Sequence, residues 1–186
     1  MPEPAADAVI ESWLAGARAG DRAAFAELVR AHQSRVRLQL RRLTRGDAAS
    51  ADDLAQETFL QAWLHLAGFR GECRFATWLH RVALNCYLRQ ARRSSPPLEW
   101  SDMPAGETGE PSESANTALR LDLESALGEL TEIQQLAIVH CYHLDLSHAE
   151  AAEVLGLPIG TLKSHVDRAK ARLRQRLAAW QPESTT

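Results

Sequence analysis

Residues 156–170 read GLPIGTLKSHVDRAK, and the reading of this stretch decides the fold. Two glycines and a proline stand between segments with helical periodicity. Gly156 suits the position just past a helix end, where a left-handed backbone is needed. Pro158 suits the first turn of a following helix, where its missing N–H leaves no bond unmade. A stop and restart this close is the signature of a helix-turn-helix, whose second helix enters the major groove N-terminal end first. At about 100° per residue, Ile159, Leu162, Val166, Ala169, Leu173 and Leu177 fall on one side and are expected in the core. Thr161, Ser164, Arg168, Ala171 and Gln175 lie opposite, with Lys163, Asp167 and Arg172 on the flanks. Arg168 has the fork that matches guanine O6/N7, whereas Lys163, Arg172 and Arg174 suit phosphate. An ordinary helical hairpin carries the same stop signals, so the stretch alone describes a generic reader of DNA.

Outward from it, the C-terminal block predicts helices near 118–128, 131–143, 147–155 and 159–177, with capping-box spacing at Thr131/Gln134 and Ser147/Glu150. In the N-terminal block, Asp21 precedes a helical run with Phe25, Leu28, Val29, His32, Val36 and Leu40 in register. The run SADDLAQETFLQAWLHL starts with Ser50 and Asp53 in a capping-box-like arrangement and continues with an apolar stripe of Ala55, Phe59, Ala62 and Leu66. Asp52, Asp53 and Glu57 would then occupy the first turns, where the helix dipole favours acids. Gly68 and Gly71 open a short loop, after which Phe75, Leu79, Val82 and Cys86 form a core stripe. Trp78, Arg81, Asn85 and Arg89 form a second stripe on the same helix. An aromatic, two arginines and an amide suit unstacked bases and phosphates; alternatively Trp78 is core and the arginines lie over it. Ala and Leu dominate the apolar residues, and strand-like runs are sparse, so the fold class is all-α. Residues 94–117, rich in Pro, Gly, Ser and acid, read as a linker between two small helical domains.

A net charge of −3 hides a segregation. Residues 69–93 carry a net +5 and residues 156–180 again +5, separated by −5 over residues 94–117. Two basic patches suggest two contacts with a polyanion, although solvated helix faces give the same pattern. Cys73, Cys86 and Cys141 are odd in number and lack paired spacing, which fits a reducing cytoplasm rather than a disulfide framework. The N-terminus has neither the basic start nor the apolar run of a secretory signal, and no uncharged stretch approaches the ~18 residues of a membrane span. His140, Cys141, His143 and His148 include ligand types, but 140, 141 and 143 share no clean helix face, so no metal or other cofactor is expected. HAE at 148–150 lacks the downstream P-C-x-x-C of a zinc deaminase.

The segments DDLAQETFLQAWLHL, FRGECRFATWLHRVALN and LTEIQQLAIVHCYHLDLSHAEAAEVLGLPIGTLKSHVDRAKARLRQRL resemble the extracytoplasmic-function (group IV) bacterial sigma factors, over about residues 8–93 and 118–178. The resemblance implies sigma domain 2 at 8–93, a linker at 94–117 and sigma domain 4 at 118–180. It implies a non-enzymatic, cytoplasmic factor without a small-molecule substrate. Such a factor binds core RNA polymerase and promoter DNA and is controlled by an anti-sigma factor. By the same resemblance, Asp52, Asp53, Glu57 and Gln61 would dock on a coiled-coil of the largest polymerase subunit. Phe69, Arg70 and Arg74 would belong to the loop that captures a flipped −10 base. Trp78 and Asn85 would meet the opened strand, with Arg81 and Arg89 on its phosphates. Thr161, Lys163, Ser164, Asp167, Arg168 and Arg172 would read the −35 element. Two positions depart from the family pattern: Asp167, where a larger or basic residue is common, and Ala151, where a bulkier aliphatic is common. The rival is a helix-turn-helix repressor or activator that binds an operator by itself.

Overall fold

The computed structural model describes residues 4–94, 122–123 and 125–180. The linker expected at 94–117 lies outside these from residue 95 on, as do Trp100, Met103 and the start of the helix expected at 118–128. The chain divides into two units, Met1–Gly106 and Glu107–Thr186. Among the described residues there is no strand.

The first unit comprises α1 (Pro4–Arg18), α2 (Arg22–Leu43), α3 (Ala48–His65), a 3-10 turn at Leu66–Gly68 and α4 (Phe75–Ser94). Asp21 starts α2 by accepting from the Ala23 and Ala24 N–H groups at 2.8 and 3.3 Å. The start of α3 differs from expectation. Its cap is Asp47, which accepts from the Ser50 N–H at 3.2 Å and the Ser50 hydroxyl at 2.6 Å. Those bonds hold the Asp47 carboxyl below the usual carboxylate range. Ser50 is therefore already helical, and Asp52 and Asp53 sit a turn further in, past the free N–H groups. The core joins all four helices through Leu14, Leu28, Leu40, Leu54, Leu66 and Leu79. Gln39 of α2 and His80 of α4 are buried and satisfy each other. The His80 ring Nδ1 lies 2.7 Å from the Gln39 side-chain oxygen, and the Gln39 amide donates to the His80 carbonyl at 3.1 Å. Truncating either one would orphan a buried polar group at a cost of about 1–3 kcal/mol, so this pair fixes how α4 crosses α2.

In the second unit, residues 125–128 are helical and precede α5 (Glu132–Ile138), α6 (His148–Leu155) and α7 (Ile159–Arg176), with a 3-10 turn at Ala178–Trp180. Thr131 N–H donates to Gln134 at 3.1 Å, and Ser147 and Glu150 bond reciprocally at 2.9 and 3.2 Å. The single helix expected at 131–143 widens at Val139–His143 into a π turn. That turn buries His140 completely; its Nδ1–H donates to the Leu136 carbonyl at 2.7 Å, and burial pushes its pKa down. Gly156 ends α6 at φ 65°, as its sequence position requires. Pro158 stands one place earlier than expected, at the N-cap of α7 rather than inside its first turn. Leu162, Val166 and Ala169 are buried, but Ile159 is 47% exposed, because the apolar stripe of α7 enters the core only a turn later, at Leu162. At the centre of this unit's core Ala137, Ala151 and Ala152 pack with Leu162 and Val166, and Cys141, Leu146, Leu155 and Leu157 close around them. Ala151, fully buried, lets α6 lie close on α7.

Candidate nucleic-acid interface

Two surfaces carry the predicted residues, one on each unit. In the first, α4 turns its second stripe away from the core and against the end of α3. Together they enclose a groove of about 460 Å³ lined by Gln61 and His65 of α3 and by Trp78, Arg81, Asn85 and Arg89 of α4. Both sequence readings of the stripe hold in part. Trp78 is half-buried against Phe69 and Phe75, with ring centroids 5.3 and 5.7 Å away, and still lines the groove. Asn85 and Arg89 are exposed, and Arg81 is half-buried. Arg89 bonds the Cys86 sulfur at 3.2 Å, which lays its stem along the helix. An aromatic face, an amide and cationic forks in one concavity can stack a base, bond its edge and bind its phosphates.

The loop before α4 departs from expectation at its first residue. Phe69 is only 6% exposed and packs edge-on against Phe75. Arg18, at the end of α1, donates to the Phe69 carbonyl and holds its guanidinium 5.3 Å from the Phe69 ring centroid. Phe69 thus has no face left for a base; it anchors the loop from beneath. Arg70 and Arg74 remain exposed, Arg70 within 3.9 Å of Glu72. Gly71 turns the loop at φ 76°, a conformation that a side chain would strain.

The four acidic and amide residues of α3 do not act as one set. Asp52 pairs with Arg37 of α2 at 3.0 Å, and Glu57 accepts from the Gln61 side chain at 2.8 Å. Asp53 is exposed on the same side of α3 as Leu60 and Leu64, which are 52% and 61% exposed. Sequence reasoning missed those two leucines and His65, because which α3 residues face α4 depends on the crossing of the two helices.

In the second unit, Thr161, Lys163, Ser164, Asp167 and Arg168 are all exposed on one side of α7, opposite the buried stripe. The Ser164 hydroxyl donates to the Gly160 carbonyl at 3.0 Å, which fixes its rotamer. Arg172 is exposed but donates to the Glu129 carbonyl at 3.1 Å, while Arg176 grips both oxygens of the Glu129 carboxylate through Nε and Nη2. The Arg176 bonds hold Glu129 below the usual carboxylate range. These contacts clamp the C-terminal half of α7 to the unit, so its N-terminal half presents the free polar face. Nearby, burial pushes the Cys141 thiol up, and among the described residues no group of His, Cys, Asp and Glu is arranged to hold a metal.

Two family models match the chain: Sigma-70 region 2 over residues 28–96 and Sigma-70, region 4 over residues 120–173. The ECF RNA polymerase sigma factor SigE of Mycolicibacterium smegmatis is 31% identical, the match covering 98% of this chain and 71% of that protein. SigM of Mycobacterium tuberculosis is 34% identical, over 88% of this chain and 82% of its own length. Among solved structures, CnrH in complex with the cytosolic domain of CnrY is 27% identical with a TM-score of 0.70, covering 92% of this chain and 98% of that one.

Proposed function

This chain belongs to the extracytoplasmic-function RNA polymerase sigma factors, and we propose that its two helical units divide the reading of a promoter between them. Members of this family are transcription regulators rather than catalysts, and we assign no enzymatic step to the chain. The groove on α4 takes the non-template strand of the −10 element: Trp78 offers a ring face, Asn85 an amide edge, and Arg81 and Arg89 charge for phosphates. Arg70 and Arg74 close over a flipped base from the loop that Phe69 anchors. On the second unit, Thr161, Lys163, Ser164, Asp167 and Arg168 read the −35 duplex, with Arg172 on the flanking phosphate side. The outer face of α3, with Asp52, Asp53 and Glu57, is assigned to polymerase; Gln61, expected with them, turns instead into the groove. Cytoplasmic residence follows from those partners, and no described helix is long and apolar enough to cross a membrane. Control by an anti-sigma factor follows from family membership, and CnrH was itself solved with a protein partner.

The observation that carries this reading is the convergence of Trp78, Arg81, Asn85 and Arg89 on one groove. Run-off transcription with core polymerase tests it. Asn85→Ala should recruit polymerase to the duplex yet leave the −10 region unreactive to permanganate; normal reactivity would refute the assignment. Sequence-specific duplex binding by the chain without polymerase would favour an autonomous repressor instead.

A further inference from the structure

We infer that the edge of the groove supplied by α3, Gln61 together with His65, reads bases of the opened strand and belongs to DNA recognition rather than to polymerase docking. This deepens the reading of the groove as the single-strand site and rests on it. At about 100° per residue, Asp53, Glu57, Leu60 and Leu64 share one narrow arc of α3, while Gln61 and then His65 turn progressively away from it. That turn is toward α4. Both side chains line the groove with Trp78 and Asn85, whereas Leu60 and Leu64 stand outside it, largely exposed.

The remaining polar atoms define what this edge can bind. The Gln61 amide nitrogen donates to Glu57 at 2.8 Å, which leaves the side-chain oxygen and the second N–H. The His65 Nδ1 lies 2.9 Å from the Gln61 backbone carbonyl, and a carbonyl only accepts, so Nδ1 carries a proton. In the neutral ring Nε2 is then an acceptor. The α3 edge thus offers two acceptors beside one Gln61 N–H, while on the α4 side Arg81, Arg89 and Arg92 are donors only and Asn85 is both donor and acceptor. Arginines suit phosphate oxygens; acceptors suit the exocyclic amino groups of adenine, cytosine or guanine, which thymine lacks. A strand lying with phosphates toward α4 and one base edge toward α3 uses both sides of the groove.

The test uses holoenzyme reconstituted from the full chain and core polymerase, with randomised single-stranded DNA as the probe. Gln61→Ala and His65→Ala should each lower the preference for an amino-bearing base over thymine at one position by about fivefold, as for one lost hydrogen bond. Affinity for core polymerase should stay unchanged, whereas Leu60→Ala should lower that affinity and keep the base preference. Weaker core affinity with intact base preference in Gln61→Ala and His65→Ala overturns the inference. So does uniform weakening across all bases, which would place both side chains on phosphate. Trp78→Ala and Asn85→Ala separate the two levels. If they weaken strand binding while the α3 variants change nothing, only this inference falls; if they too are silent, the groove is not the strand site.

Discussion

Arg18 is the contact through which the sequence far from the loop controls where the loop begins. It lies 51 residues upstream of Phe69, yet its guanidinium both bonds the Phe69 carbonyl and sits over the Phe69 ring. Arg18→Ala removes a charged hydrogen bond worth about 1.5–3 kcal/mol. It also removes a cation–π contact worth roughly 0.5–1 kcal/mol at an exposed site. Arg18 is exposed, so the lower ends apply and the loss is about 2 kcal/mol. Phe69 remains packed on Phe75 and Trp78, so the unit stays folded and the loss falls on the position of Arg70 and Arg74. If half of that energy is felt when the loop closes on a base, opening slows by about fivefold, and by about thirtyfold if all of it is. Arg18→Lys keeps the charge but not the planar fork, and should recover little of the rate. Stopped-flow fluorescence of promoter opening by the holoenzyme, beside −35-dependent recruitment and a thermal melt, measures all three quantities. Wild-type opening by Arg18→Ala, or an equal loss of recruitment, would refute the view that Arg18 acts through the loop.

Arg168→Ala should relax base preference in the −35 element and cost about 1–3 kcal/mol, measured by holoenzyme binding to a panel of −35 variants; uniform weakening would place Arg168 on phosphate instead. Leu162→Ala should destabilise the second unit by about 2–5 kcal/mol, because Leu162 is fully buried and three of its buried neighbours, Ala137, Ala151 and Ala152, are too short to fill the cavity. The first unit should keep its melting transition in the same calorimetric scan. Burial holds His140 below the usual imidazole range, so below about pH 6.5 the unfolded chain binds a proton that the folded one refuses. Stability of the second unit should therefore fall as pH drops from 7 toward 5, and a flat profile of melting temperature against pH would contradict the buried neutral ring.

The parts of the fold that were legible in the sequence are those coded within four residues. Asp21, the Ser147/Glu150 box and Gly156 each satisfy their own backbone neighbours, and no distant contact competes with them. Asp47 was hidden because SADD offers a more familiar cap three residues on, while the real cap turns on an Asp–Ser bond that spacing does not rank. Phe69 read as a loop residue because its burial depends on Arg18, Phe75 and Trp78, none adjacent in sequence. The π turn at Val139–His143 answers to the burial of His140, a tertiary demand. For the sites, spacing alone gave the α4 stripe and the exposed face of α7, since each lies on one helix. The α3 edge of the groove was out of reach for the opposite reason: it exists only where two helices meet, and the Gln39–His80 pair that sets how α4 crosses α2 is 41 residues apart.

If the two surfaces read a promoter as proposed, the charge pattern explains why they act from polymerase. At net −3, the chain gains little long-range attraction to DNA, and each +5 segment is offset by acid elsewhere. Exposed charges are screened beyond about 8–10 Å at physiological salt, so each patch attracts phosphate only once it is nearly in contact. The free face of α7 carries Lys163 and Arg168 but also Asp167, which no ion pair among the described residues neutralises. An acid there opposes phosphate while it can still accept from cytosine N4, so it lowers non-specific affinity more than it lowers the affinity of a fitting site. On the proposed assignment, Trp78 and Asn85 in the groove have nothing to hold until the strand is open, and opening costs a few kcal/mol per flipped base. A weak duplex reader and a single-strand reader with no duplex target cannot find a promoter separately. Fixed on one polymerase, the first contact raises the effective concentration of the second, and two modest affinities combine into one selective site.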